Sequence, residues 1–143
     1  MEILNDFKIK VQMPVEWGDV DVYGHINNVT YFRYFQEARV EYYKKVGIKI
    51  DVKGNETGAV LKSISSKFLV SLDYPDIVTV GAKVTSVADE EITMEHYVSS
   101  EKKGLVAIGE SVLVIYDFKL QKKIDIPKNI LTEIEKIEGI KFN

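Results

Sequence analysis

The sequence predicts an α+β domain in which one long helix is wrapped by a curved antiparallel β-sheet, with a short helix at the C-terminal end. Three observations predict it. A helical period of apolar residues, Tyr31, Phe35, Ala38, Tyr42 and Val46, occurs once in the first third of the chain. From Val60 onward the pattern changes to strand-like alternation punctuated by short turn sequences such as Asp73-Tyr74-Pro75-Asp76 and Glu101-Lys102-Lys103-Gly104. The 143 residues also contain no repeat, low-complexity tract or long linker, so a single domain spanning 1–143 is expected, large enough to bury a core without a staple.

Composition narrows the functional classes. There is no cysteine, which excludes disulfide frameworks, thiol nucleophiles and thiolate metal sites. A net charge of −3 with interspersed Lys and Glu and no basic block argues against a nucleic-acid surface. No apolar run reaches the length of a membrane span, and the opening MEILNDFKIK lacks a basic segment followed by an apolar one, so no membrane partner and a cytoplasmic location are expected. His25 and His96 have no metal-ligand spacing, and no metal site is expected.

In chain order, Phe7 to Val15 alternates as a half-buried strand, and Glu16 to Asn28 loses any period and reads as a loop. Trp17 is expected to pack at the start of that loop. Asn27, Asn28 and Thr30 are helix-capping residue types, and Gly47 after Lys44 and Lys45 is a helix stop, giving about four turns. Phe32, Tyr34 and Tyr43 widen the apolar surface, so the helix should be covered on more than one side. Lys49 to Gly58 reads as a polar connection near the active face. Strands then follow at Val60–Leu72, Val78–Val84, Ile92–Val98 and Leu105–Phe118, the last apolar on both faces and therefore central or at a subunit contact. Gly109 beside Glu110 suggests a bulge or an interface position, and His96 falls on the apolar parity of its strand as a hydrogen-bonded core or interface histidine. Asp125-Ile126-Pro127 opens a short amphipathic helix carrying Ile130, Leu131, Ile134 and Ile137, placed to cap the sheet.

The chemistry is concentrated in Asp19, Asp21, Gly24, His25, Asn27 and Asn28, directly before the helix. A helix N-terminus offers unpaired amides and partial positive charge, which polarise a carbonyl and stabilise the oxyanion formed on attack. A carboxylate just upstream can be a nucleophile or a general base, and Gly24 lets the backbone approach a ligand closely. The same residue types also build an ordinary capped turn, and spacing alone does not separate Asp21 from Asp19.

The run Asp21-x-x-Gly24-His25-x-Asn27-Asn28-x-x-Tyr31-x-x-Tyr34-x-x-Glu37-Ala38-Arg39, closed by Gly47, resembles the signature of hotdog-fold acyl-CoA thioesterases of the 4-hydroxybenzoyl-CoA thioesterase type. The resemblance implies a hotdog fold, acyl-CoA as substrate, no metal or redox cofactor, and homodimers or homotetramers with active sites at the interface. By position, it implies Asp21 as the catalytic carboxylate, the Asn28 backbone N–H as the carbonyl-polarising donor, and His25 and Asn27 beside them. Tyr23 and Gly24 complete the substrate-facing loop, although Tyr23 stands where the acyl-carrier branch has Asn. Ser65 and Ser66, within Ser63–Phe68, resemble the strand that lines the acyl pocket from a partner subunit, where Lys62 and Lys67 are available to CoA phosphates. Glu37, placed like a catalytic Glu of another branch, is expected instead to pair with Arg33 or Arg39. Hydrolysis of acyl groups on acyl carrier protein, and non-catalytic acyl-CoA binding, are the alternatives.

Overall fold

A computed structural model describes residues 2–51 and 56–142. The ordered elements are β1 (Ile9–Pro14), α1 (Asn28–Val46), β2 (Thr57–Phe68), β3 (Ile77–Ala88), β4 (Glu91–Ser100), β5 (Gly104–Asp117), β6 (Lys122–Ile124) and α2 (Lys128–Glu138), with 3-10 turns at Glu2–Leu4 and Trp17–Asp19. All strand pairings are antiparallel, in the order β1-β3-β4-β5-β2. β6 pairs with the end of β5 at Ile115–Asp117, past the last β4 partner at Val114. This is the hotdog arrangement of a long helix on an antiparallel sheet.

The helix forms where its signals stand. Asn27 caps it by accepting from Val29 N–H at 3.0 Å, and Gly47 ends it in the left-handed region at φ 85°. The five residues of the helical period are all buried, as is Tyr34, with Phe32 and Tyr43 against the same core. They meet the inward parity of three strands: Val78, Val80, Ala82 and Val84 of β3, Ile92, Met94 and Val98 of β4, and Ala107, Leu113 and Ile115 of β5. Phe35 stacks on His96 at a centroid distance of 5.0 Å and presses onto Gly109, where a Cβ would sit 2.4 Å from the ring. Close approach of the helix, rather than a bulge or an interface, therefore requires this glycine.

α2 lies against α1 and β3 rather than across the sheet. Ile130 and Ile134 are its buried contacts, and Glu138 Oε2 accepts from both the Tyr42 hydroxyl (2.5 Å) and Val84 N–H (3.0 Å).

Several expectations are corrected. β2 stops at Phe68, four residues early, because Leu69 and Val70 N–H both bond the Val106 carbonyl (2.8 and 3.3 Å), which breaks the ladder and drops Leu72 into the core. β6 was not anticipated, since three residues are too few to show a period. Trp17 is 73% exposed, because the 3-10 turn Trp17–Asp19 carries it outward. Of the polar connection Lys49–Gly58, residues 52–55 lie outside the described residues and Thr57 already belongs to β2.

Candidate active site

The loop before α1 is a miniature hairpin. Val20 and Ile26 form an antiparallel bridge, Asn27 N–H donates to Asp19 O (2.9 Å), and Asp21 N–H donates to His25 O (2.8 Å). Its tip, Val22-Tyr23-Gly24, closes with Gly24 N–H on Asp21 O (3.0 Å) and Gly24 at φ 84°, a three-residue hairpin turn that needs glycine at its left-handed position. Asp21 stiffens the tip: its Oδ1 accepts from Tyr23 N–H at 2.9 Å, with His25 N–H at 3.4 Å. Its second oxygen has no hydrogen-bond donor and no cation among the described residues. Tyr23, at the apex, is 84% exposed.

Distant segments fix the hairpin in place. Ile26 N–H donates to Leu72 O (2.8 Å), and His25 Nδ1 lies 2.7 Å from Asp73 Oδ1. A carboxylate only accepts, so Nδ1 carries a proton, and in the neutral tautomer Nε2 is the acceptor. Lys103, in the β4–β5 turn, reaches Asp73 Oδ2 (2.7 Å) and the Ser71 carbonyl (2.6 Å). First Lys103 and then His25 hold the Asp73 carboxyl below the usual carboxylate range.

At the helix start, Val29 N–H is capped by the Asn27 side chain and Thr30 N–H by the Asn27 carbonyl (3.0 Å). The Asn28 N–H has no acceptor among the described residues, so it is the donor the helix offers outward. Asp21, Tyr23, His25 and Asn28 line one cavity of about 340 Å³. Tyr31, Phe68, Val70 and Ser71 complete its wall, with the Tyr31 and Phe68 rings edge to face at 5.1 Å. Burial pushes the Tyr31 phenol up to about 12, so this wall stays neutral.

The other anticipated residues take different places. Asp19 is engaged by Arg33 at 2.5 and 3.3 Å and faces, with Asn27, a separate hollow of about 310 Å³. That bond removes Arg33 from Glu37, and Arg39 is buried against Ser111 (3.1 Å), so neither expected partner meets the exposed Glu37. Ser65 is exposed, and Ser66 Oγ bonds the Ile108 carbonyl at 3.3 Å; neither lines the Asp21 cavity within the chain. Lys62 is taken by Glu91. Sequence reasoning missed Asp73 and Lys103, which read as turn residues, and Tyr31, which read as core. No local pattern announces a histidine–carboxylate pair 48 residues apart. Among the described residues no three His, Asp or Glu side chains gather as a metal site, and no helix is long and apolar enough to cross a membrane.

A carboxylate and a free helix-terminal amide line one small cavity on a hotdog scaffold, and the family and relatives this chain matches make it a thioester hydrolase. Residues 15–134 match the thioesterase-like superfamily, and the chain belongs to that superfamily. It is 27% identical to the uncharacterised protein YsmA of Bacillus subtilis strain 168 over 104 residues, 73% of this chain and 69% of that one. It is 27% identical over 90 residues to the chloroplastic acyl-acyl carrier protein thioesterase ATL3 of Arabidopsis thaliana, 62% of this chain and 47% of that protein. The solved structure of a Thermus thermophilus thioesterase complexed with coenzyme A and zinc superposes with a TM-score of 0.80 at 26% identity, covering 94% of this chain and 97% of that one.

Proposed function

We propose that this thioester hydrolase cleaves acyl-CoA to a free acid and CoA, with Asp21 as nucleophile or general base. The observation that carries the reading is the shared cavity of the Asp21 carboxylate, unpaired on one oxygen, and the unsatisfied Asn28 N–H. In the general-base route, Asp21 takes a proton from water as the water oxygen bonds the thioester carbon. The carbonyl oxygen gains negative charge and accepts from Asn28 N–H at the positive end of α1. The C–S bond then breaks, and the CoA sulfur leaves as thiolate and is protonated. In the nucleophilic route, Asp21 itself bonds the carbon as the C–S bond breaks and CoA leaves as thiolate to be protonated; water then opens the resulting anhydride, giving the free acid and regenerating the Asp21 carboxylate. His25, oriented by Asp73, lines the same cavity, where its Nε2 would accept from water or substrate; Tyr23 lines it too, next to Gly24, whose left-handed turn shapes the substrate-facing loop. Coenzyme A as the carrier draws support from the CoA held by the Thermus thermophilus relative.

The reading includes a homodimer or homotetramer with active sites at the interface, in the cytoplasm. β2 pairs only with β5 among the described strands and exposes Val60, Leu61 and Phe68, continued by Leu69 and Val70, an open apolar edge that a second copy would cover. Pairing there brings Ser65 and Ser66 to the neighbouring site, and Asn27 supports the loop from below.

The test is turnover of an acyl-CoA series by the wild type and by Asp21→Asn. A fall in kcat of roughly 10²- to 10⁴-fold is expected for loss of a general base; full turnover by the folded variant refutes the assignment. The likeness to ATL3 favours acyl carrier protein esters as the second reading, and hydrolysis of the same acyl group on CoA and on carrier protein at equal concentration decides between them.

A further inference from the structure

At the other end of the α1–β2 contact lies a second cavity, of about 560 Å³, lined by Gln36, Arg39, Tyr43, Ala59, Leu61 and Phe118 among others. Arg39 is its unexpected member: 5% exposed, yet paired with no carboxylate among the described residues. Its partner is the neutral Ser111 hydroxyl. A guanidinium can only donate, so Ser111 Oγ accepts from Arg39 at 3.1 Å and gives its own hydrogen to His96 Nε2 at 2.8 Å. His96 then carries its proton on Nδ1, facing the Gly81 carbonyl at 3.2 Å. The whole network supports the cation without supplying a negative charge. The Tyr43 hydroxyl, hydrogen-bonded to the guanidinium, adds none, because burial outweighs the Arg39 charge and holds its phenol in the protonated form.

Burying a cation without a counter-charge is costly, and arginine's planar fork suits a carboxylate closely. The bond to Ser111 uses a single nitrogen, and among the described residues no guanidinium nitrogen is both sealed from solvent and unpartnered. The donors beyond those on Ser111 and Tyr43 are therefore open where Arg39 lines the cavity. Around them the lining is mostly apolar, and the one nearby lysine, Lys49, is already held by Glu56 at 2.7 Å. One free positive charge in an apolar hollow matches a monoanion on a carbon stem rather than a phosphate.

We propose that Arg39 receives the terminal carboxylate of an ω-carboxyacyl group, making this cavity the far end of the acyl-binding region. α1 carries both ends: Asn28 begins it and Arg39 lies eleven residues on, roughly 16 Å along the axis. β2 flanks both, with Phe68 beside Tyr31 at one end and Ala59 and Leu61 beside Arg39 at the other. Antiparallel pairing of two β2 edges would also lay the Arg39 end of one protomer alongside the Asp21 end of its partner. The acyl identity of the ligand rests on the thioesterase reading; the anion site does not.

Two measurements on the intact protein test this. In the first, octanoate and the neutral octanamide are titrated into protein labelled with ¹⁵N at arginine. Octanoate is expected to shift the Arg39 Nε–Hε resonance and octanamide to leave it in place; no shift with octanoate overturns the anion site, whatever the enzyme activity. In the second, kcat/KM is compared for ω-carboxyoctanoyl-CoA and octanoyl-CoA. The wild type is expected to favour the carboxylated ester by roughly 10- to 100-fold, the worth of a charged hydrogen-bonded contact, mostly through KM. That preference should vanish in Arg39→Met and survive in part in Arg39→Lys, which keeps the charge if the methionine variant does not fold. Equal rates for the two esters in a wild type that binds octanoate overturn the acyl-terminus assignment and make the occupant a free acid. Binding of octanoate with no hydrolysis of either ester would sink the thioesterase reading and leave the anion site standing.

Discussion

His96 makes the stability of this fold depend on pH in a calculable way. The ring is fully buried between Phe35 and the Ser111–Arg39 pair, and burial first, with the Arg39 charge second, pushes it down to about 3. In the unfolded chain a histidine titrates near 6.5. Its folded value is depressed, so its contribution is complete above about pH 6.5 and is lost as pH falls toward 3. At pH 5 the unfolded chain holds almost a full proton that the native state does not. The loss there is about 1.5 pH units of slope, or ~2 kcal/mol, and it barely changes with the folded value so long as that stays well under 5. Urea unfolding at pH 7.5, 6 and 5 measures it, and for a domain of this size the midpoint should fall by roughly 1 M across the range. His96→Gln, which can still meet Ser111 and Gly81, should be less stable at pH 7.5 but nearly flat from 7.5 to 5. Asp73 and Glu91, held low by lysine partners, lose their contributions below the ordinary carboxylate range and leave this window clear. Equal pH dependence in wild type and variant would refute the reasoning.

Two further perturbations probe the helix start and the helix–sheet contact. Asn27→Ala removes the cap on Val29 N–H and should cost about 1 kcal/mol in urea unfolding. Because it also frees the first turn where Asn28 N–H points, kcat should fall while KM holds, and Asn27→Asp should restore both. Gly109→Ala drives a methyl into the Phe35 ring and should cost ~1–3 kcal/mol. Phe35→Leu in the same chain should recover part of that loss, a coupling that a double-mutant cycle reads directly.

How far the sequence disclosed this molecule follows the range of the forces involved. α1 was legible from Asn27 to Gly47 because a cap, a helical period and a C-terminal glycine agree within twenty residues. β3 and β4 were legible because one face of each is buried, which imprints alternation on the residues. The end of β2 is hidden for the opposite reason: Phe68, Val70 and Leu72 keep the strand-like apolar parity although the backbone has already turned onto Val106. Trp17 is not legible because an apolar type says nothing about a 3-10 turn that holds it outside the core. Helical proximity points Glu37 to Arg33 or Arg39, whereas Arg33 meets Asp19 and Arg39 meets Ser111, 72 residues away across the core.

The site shows the same division between what is local and what is not. Asp21, Gly24, His25 and Asn28 are encoded within eight residues, and the hairpin they form needs only its own backbone bonds and one left-handed glycine. Local bonding fixes the shape of that hairpin but not its direction. Direction comes from three contacts that cross the sequence: Ile26 on Leu72, His25 on Asp73, and Lys103 on both Asp73 and Ser71. The irregular stretch after β2 is what makes them possible, because a strand continued to Leu72 would have kept that carbonyl in the sheet ladder. Its early end releases Leu72 O to Ile26 N–H, sets Asp73 beside His25, and leaves Phe68 and Val70 as a wall of the Asp21 cavity. The break in β2 is thus the element that turns a capped loop into a pocket.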